Sequence, residues 1–425
     1  MRKVSRLGVG ACAAMLAFTG LTGCSASSNQ GESASEKLSI SFMVLGASQE
    51  SNSYLQEQLI PKFEEETGIS VTLQSSDWGS AFQKITTAAA SNQLSDVMVL
   101  GSIWTAPLAE KGVLLELDKY VEKWEDGKHV FPKMLEDGMW KGKQYSIPFG
   151  VDLRAPIYRA DILKEAGVDI ENLPTTWSEL RTVAEKVKEA GKTESPIWWG
   201  LDNSIGLQQG YAQLMLQNNA QYWNGDGTPN FDSKESREAL EFLTSTFKDE
   251  LSNYNYVYSG NGPRPLGAGQ SAIGLGGVTE FANARQNIPE AEKNLIVGPP
   301  IKGPSASEGS IAAWVNKLAI AKGSKNPDAA WTFVKYLMKK ENLSKFDDLH
   351  GQLPPRDDMT DETWLGETGK ALMGVAQTAK SQPPHPGMMQ FGKKINELLQ
   401  PAIRDTATIA ETLEKINHEL TSFSK

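Results

Sequence analysis

Residues 40–100 read ISFMVLGASQESNSYLQEQLIPKFEEETGISVTLQSSDWGSAFQKITTAAASNQLSDVMVL. Ile40 to Leu45 is an apolar run suited to a buried strand. Over residues 53–67, Leu55, Leu59 and Phe63 recur at helical spacing, and Gly68 stands where a helix-ending glycine belongs. Ile69, Val71 and Leu73 alternate as a strand. Phe82, Ile85 and Ala89 mark a second helix face, and Val97 to Leu100 is a continuous apolar strand. This β-α-β-α-β order with short connections predicts a mostly parallel, helix-covered sheet. Ligands of such sheets sit beyond the carboxyl ends of the strands. The loops Gly46 to Glu50, Ser75 to Trp78 and Gly101 to Trp104 are therefore candidate site loops.

At 425 residues the chain exceeds the ~250–300 at which single cores stop growing, so two lobes are expected. With 42 Lys+Arg against 52 Asp+Glu the net charge is −10, which argues against a nucleic-acid partner. Two cysteines exclude a disulfide scaffold and a Cys-rich metal site. A hydrophobic fraction of 40% with 22% charged residues is ordinary globular composition.

The first 24 residues, MRKVSRLGVGACAAMLAFTGLTGC, combine a basic start with a short apolar run. That is a secretory signal pattern rather than a membrane span. Its end, Leu21-Thr22-Gly23-Cys24, resembles a bacterial lipobox, which makes residues 1–23 a signal peptide and Cys24 the lipidated residue. Loss of residues 1–23 removes three bases and no acid, leaving 39 bases, 52 acids and a net −13. Cys12 departs as well, so no internal disulfide is expected. Residues 25–37 (SASSNQGESASEK) are small and polar, a tether with a reach of about 20 Å. The expected location is outside the cytoplasm, lipid-anchored to the cell membrane.

A second unit starts at Tyr145-Ser146-Ile147-Pro148. Thr176 and Glu179 form a capping box opening a helix that Gly191 closes. Asp232 with Glu235 is read as the cap of the helix carrying Leu240, Leu243 and Phe247. Asn326-Pro327 opens a helix striped by Ala330, Phe333, Val334 and Leu337. Residues 380–387 are a Pro-rich break before a final helical region.

Catalytic signatures are absent from the chain. There is no G-x-S-x-G, H-E-x-x-H or G-x-x-x-x-G-K-[ST]. The four histidines are scattered. Gly267 to Ala272 fits G-x-G-x-x-A but follows Pro263-Arg264-Pro265 rather than a strand. Asn224 to Gly227 is read as a turn, not a calcium loop. No catalytic residue, metal or cofactor is expected, although distant carboxylates could converge in space.

Leu38 to about Arg404 resembles the extracellular solute-binding proteins of ABC importers, specifically the family that mostly carries sugars and oligosaccharides. The motifs run in family order. They include Ile60-Pro61-Lys62-Phe63 through Gly68-Ile69, Ser95-Asp96-Val97 leading to Trp104, and Tyr145-Ser146-Ile147-Pro148 before Asp152, Arg154 and Tyr158. Leu173 to Leu180, Asn326 to Trp331 and Gly351 to Arg356 follow. The resemblance implies an α/β, two-lobed periplasmic-binding-protein-like fold, each lobe a mostly parallel sheet covered by helices, with a hinge and a cleft. Lobe 1 is placed at 38–150 plus about 276–325, and lobe 2 at 151–275 plus about 326–425. It also implies a monomer that captures a mono- or oligosaccharide and delivers it to ABC importer permease subunits. A surface-anchored carbohydrate hydrolase and a binding protein for a non-sugar solute are the alternatives.

A sugar offers hydroxyls and C–H faces, so its cleft needs aromatic platforms and paired hydrogen-bonding side chains. Asp152 matches the family position that bonds sugar hydroxyls, and Trp314 follows Ala313 where relatives often carry Gly before a stacking Trp. Trp104 and Trp78 lie on the site loops, with burial against a helix as their rival placement. Asp77, Glu50 and Gln49 share those loops. Gly277 is read as a point of close backbone approach or a hinge, and Arg356 as a bidentate donor reaching into the cleft. Arg154 is read as structural, because it would share the face of Asp152 only on a regular strand. Trp198-Trp199 and Tyr222-Trp223 could form cleft wall or core, whereas Trp177 and Trp331 are expected in the core.

Overall fold

The structure is a computed structural model that describes residues 38–200, 206–255 and 262–422. The expected signal peptide of residues 1–23, Cys24 and the expected tether up to residue 37 lie outside the described residues.

The opening segment folds as its pattern predicts. Ser39–Leu45 pairs in parallel with Ser70–Ser76, Phe42 standing opposite Leu73, and in parallel with Val97–Leu100. The intervening helix runs from Gln49 to Thr67, with a widened π-helical turn over Leu55–Leu59. Pro61 explains the widening: it has no N–H to return to the preceding turn and its ring crowds the carbonyl four residues back. Gly68 ends the helix at φ +73°, its N–H donating to the Glu64 carbonyl at 2.9 Å.

Among the described residues nine strands form one mixed sheet. In spatial order they are Ser70–Ser76, Ser39–Leu45, Val97–Leu100, Ile311–Ile320, Ser146–Arg159, Ile273–Gly276 and Ile197–Trp198. Ala379–Lys380 adds beside Ile311–Ile320, and Leu295–Val297 beside Ser146–Arg159. The two long strands, 146–159 and 311–320, run antiparallel through the middle and connect the two ends of the sheet.

Separate cores form at those two ends. The first gathers Phe42, Phe63 and Phe333, whose rings meet edge-on at 5.3 Å and 4.9 Å. The second gathers Tyr158, Trp177, Tyr211, Leu240 and Phe391. The capping box at Thr176 is present: its hydroxyl accepts from Glu179 N–H at 3.2 Å, and the Glu179 carboxylate accepts from Thr176 N–H at 3.1 Å. The helix Lys234–Lys248 is capped by Ser233, not by Asp232, because the Ser233 hydroxyl accepts from Ser236 N–H.

Chain segments divide between the cores differently from the expected boundaries. The helices Pro327–Leu337 and Lys340–His350 pack into the first core through Phe333 and Phe346. The helix Val278–Asn287 packs beside the second end, where Phe281 meets Ile157, Leu266 and Leu295. The apolar stripe of each helix binds the sheet surface that tertiary contacts bring beneath it, whatever its order in the chain. Among the described residues no helix is long and apolar enough to cross a membrane.

Candidate functional site

The middle ladder presents two unlike faces. Successive side chains on a strand leave on opposite sides, and directly opposed residues share a side. On one side Val151, Leu153 and Ala155 with Ala313 and Val315 are buried against Leu353, Leu372 and Met373. On the other, Asp152, Arg154, Trp314 and Asn316 remain partly open. Trp314 pairs directly with Asp152, and Ala312 with Arg154. The strand is therefore regular at this point, and Arg154 does share the face of Asp152.

Charges and rings interlock there. Arg154 Nε donates to Asp152 Oδ2 at 2.9 Å, with Nη2 also 2.9 Å from that oxygen. Its Nη1 donates to Gln209 Oε1 at 2.9 Å. The guanidinium carbon stands 4.4 Å from the centroid of the Trp314 ring, a cation–π contact. Asp152 Oδ1 is buried and has no hydrogen-bond partner among the described residues. Gly277, at the start of the helix Val278–Asn287, lies against this oxygen; a Cβ on Gly277 would come within 2.6 Å of it. The glycine is thus needed for close approach, but of its backbone to Asp152.

A buried carboxyl stands behind this face. Arg264 Nη1 donates to Glu280 Oε1 at 2.5 Å. Burial pushes the Glu280 carboxyl above its ordinary range, against the pull of Arg264 and Arg154 and aided by Asp152. Glu280, Arg264 and Gln209 escaped the sequence reading because no local pattern ties them to Asp152. Arg154 could have been found from its two-residue offset alone.

The family model described as bacterial extracellular solute-binding protein matches residues 46–343, a span holding both middle strands. The chain belongs to this family. Among relatives of the solute-binding protein, a putative binding protein of Brucella abortus is 26% identical over 303 residues, covering 70% of this chain and 72% of that one. A diacetylchitobiose-binding protein of Streptomyces coelicolor is 26% identical over 344 residues, 77% of this chain and 76% of that one. Of solved structures, the sugar-binding protein MalE of Xanthomonas citri superposes with a TM-score of 0.80 at 22% identity, covering 91% of this chain and 97% of that one. That likeness is one of fold: mixed α/β, a central sheet with surrounding helices.

The remaining candidates of this solute-binding protein separate into two groups. The parallel strands bring the loops carrying Gln49, Glu50, Asp77, Trp78 and Trp104 to one edge of the sheet. Gln49 and Glu50 are exposed in the first turn of the helix Gln49–Tyr54. Trp78 is 39% exposed and lies over Gly46, where a Cβ would meet its indole nitrogen at 2.1 Å. Trp104 is only 6% exposed, in the first core, edge-on to Trp78 at 5.8 Å. Its rival placement is the observed one, because Gly101 leaves room for the indole.

Two candidates do other work. Asp77 caps the helix Trp78–Ala90, accepting from the Ser80 hydroxyl at 2.5 Å and the Ser80 N–H at 2.9 Å. Those bonds hold its exposed carboxyl below the usual range. Arg356 is 1% exposed, and every one of its N–H vectors is engaged. It forks onto Asp358 and Asp126 at 2.6–3.1 Å and reaches the Met338 carbonyl at 3.0 Å. No donor is left to reach a cleft, so Arg356 is a clamp between loops.

The paired tryptophans divide in the same way. Trp177 and Trp331 are buried, and Trp199 donates from its indole to Thr246 at 2.9 Å inside the second core. Trp223 stacks on His385 at 4.0 Å. A cavity of about 880 Å³ is lined by Phe131, Lys133, Tyr222, Lys380 and Gln382 with Ala313. Asp152, Arg154 and Trp314 do not line this cavity, which is therefore separate from the open ladder face. His129, Asp357 and Asp358 bring ligand-type atoms within 4.8 Å of one another. Both Asp358 oxygens already accept from Arg356, which accounts for that cluster without a metal.

Proposed function

We propose that this solute-binding protein captures a mono- or oligosaccharide and hands it to the permease subunits of an ABC importer. The observation that carries the reading is the open ladder face, where an indole and a carboxylate stand side by side. A pyranose matches that pair, its C–H face on Trp314 and its hydroxyls on Asp152. The relatives named above as diacetylchitobiose-binding and sugar-binding proteins support the same class of ligand.

On this reading the two cores belong to two lobes hinged on strands 146–159 and 311–320. A sugar on the ladder face would favour the closed arrangement through contacts it makes only there. The exposed Trp78 and the first-turn residues Gln49 and Glu50 belong to the edge loops that would meet it. Lipidation of Cys24 would keep the protein beside its permease on the outer side of the membrane.

Isothermal titration against a panel of mono- and oligosaccharides, maltotriose and diacetylchitobiose included, tests the reading. Binding of a sugar, weakened by Trp314→Ala, is expected. Silence across the panel together with tight binding of a peptide, polyamine or phosphate ester would overturn it, and turnover of a glycoside would favour the hydrolase.

A further inference from the structure

We propose that Arg154 is an internal occupant of the sugar subsite, one that a ligand must displace. The inference rests on the reading of Asp152 and Trp314 as sugar-binding residues and adds how that site is regulated.

A guanidinium and a pyranose present much the same chemistry to a protein. Each has donors in or near its plane and a weakly hydrated face that stacks on an aromatic ring. Arg154 uses all of these at once. Two of its nitrogens reach Asp152 Oδ2 at 2.9 Å, and a third donates to Gln209 Oε1 at 2.9 Å. Its flat group sits 4.4 Å from the ring centroid of Trp314. The carboxylate, the amide oxygen and the platform that would recognise a sugar are therefore engaged by one side chain.

Trp314 has little other surface to offer, since it also packs against the second core. Arg154 can leave, because its side chain keeps 24% of its surface in solvent and the residue directly opposite it on the ladder is the small Ala312. Asp152 Oδ1 is buried against Gly277 and without a partner among the described residues, so a sugar hydroxyl can reach this carboxylate only through Oδ2, the oxygen that Arg154 holds.

The consequence is a tax on affinity. A site competent only when Arg154 is out binds with its intrinsic constant divided by the fraction of molecules in that state. Removing the guanidinium removes the tax. Arg154→Ala is expected to bind maltotriose or diacetylchitobiose about fivefold or more tightly than the unmodified protein in isothermal titration. Arg154→Lys, which keeps the charge but cannot fork and stack, is expected to fall between the two. Equal or weaker binding by both folded variants would overturn the proposal and make Arg154 a ligand donor instead.

A second measurement does not depend on the sugar. Methylguanidinium should refill the hole in Arg154→Ala, giving saturation-transfer NMR signal that the unmodified protein lacks and that Trp314→Ala in the same background abolishes. No signal above that of the unmodified protein would overturn the proposal. If neither protein binds any sugar of the panel and a non-sugar solute binds instead, the sugar reading fails by itself, and the methylguanidinium result still decides whether Arg154 fills a built subsite.

Discussion

Asp152 and Trp314 stand directly opposite each other across the antiparallel ladder of strands 146–159 and 311–320. Opposed residues share a side, so an acidic acceptor and an aromatic face, 162 positions apart in the chain, meet on one open surface. The relationship depends on the register alone. A slip by one residue would turn Trp314 into the apolar layer of Val151 and Leu353.

Trp314→Ala is expected to weaken sugar binding at least about tenfold, on the order of 1.4 kcal/mol, with the fold retained. Titration calorimetry measures the loss, and circular dichroism checks the fold. Unchanged affinity would return Trp314 to the core it packs against.

Gly277→Ala introduces a Cβ 2.6 Å from both Asp152 Oδ1 and the Leu153 carbonyl oxygen. The carbonyl belongs to the ladder and cannot swing away, so the helix start must shift. The expected outcome is lower thermal stability together with weaker ligand binding, because the carboxylate is displaced. A variant as stable and as active as the unmodified protein would show that the segment yields without cost.

Arg356→Ala should leave sugar affinity intact in the folded protein and cost about 3 kcal/mol of stability. The guanidinium is fully enclosed, but Asp126 and Asp358 are partly open to water, which softens the loss of their partner. Chemical denaturation measures the change. A loss of affinity without a loss of stability would restore Arg356 to the cleft.

His350 supplies the pH dependence. Burial holds its imidazole below the ordinary value of 6.5, and its ring stacks on Phe346 at 5.0 Å. Below pH 6.5 the unfolded chain binds the proton more readily than the folded one, so stability rises with pH and is fully present above that value. Acidification from neutrality should lower the melting temperature as His350, and likewise the partly buried His385, are forced to charge. His350→Phe keeps the stack and should flatten the slope; an unchanged slope would assign the acid sensitivity elsewhere.

Much of this was legible in the chain because it is local. The strand and helix periods of residues 40–100, the capping box at Thr176 and the helix-ending Gly68 depend on neighbours a few residues away. The alternation that puts Asp152 and Arg154 on one face is equally local. It went unread for Arg154 only because regularity of the strand had to be assumed. Arg356 was misread for the opposite reason. Asp358 is near it in the chain, but the other partner, Asp126, lies 230 positions away and completes the enclosure. Trp104 turned inward because Gly101 left a space for it, and Asp77 found its acceptor role in Ser80 instead of a ligand.

The sequence alone determined the elements, their order and the family, since each follows from short-range periodicity, capping and motif. Only the tertiary structure decided which charges are already spent and which remain open. That choice is made by partners brought together across hundreds of residues, where burial makes an unmet charge too costly to leave unpaired.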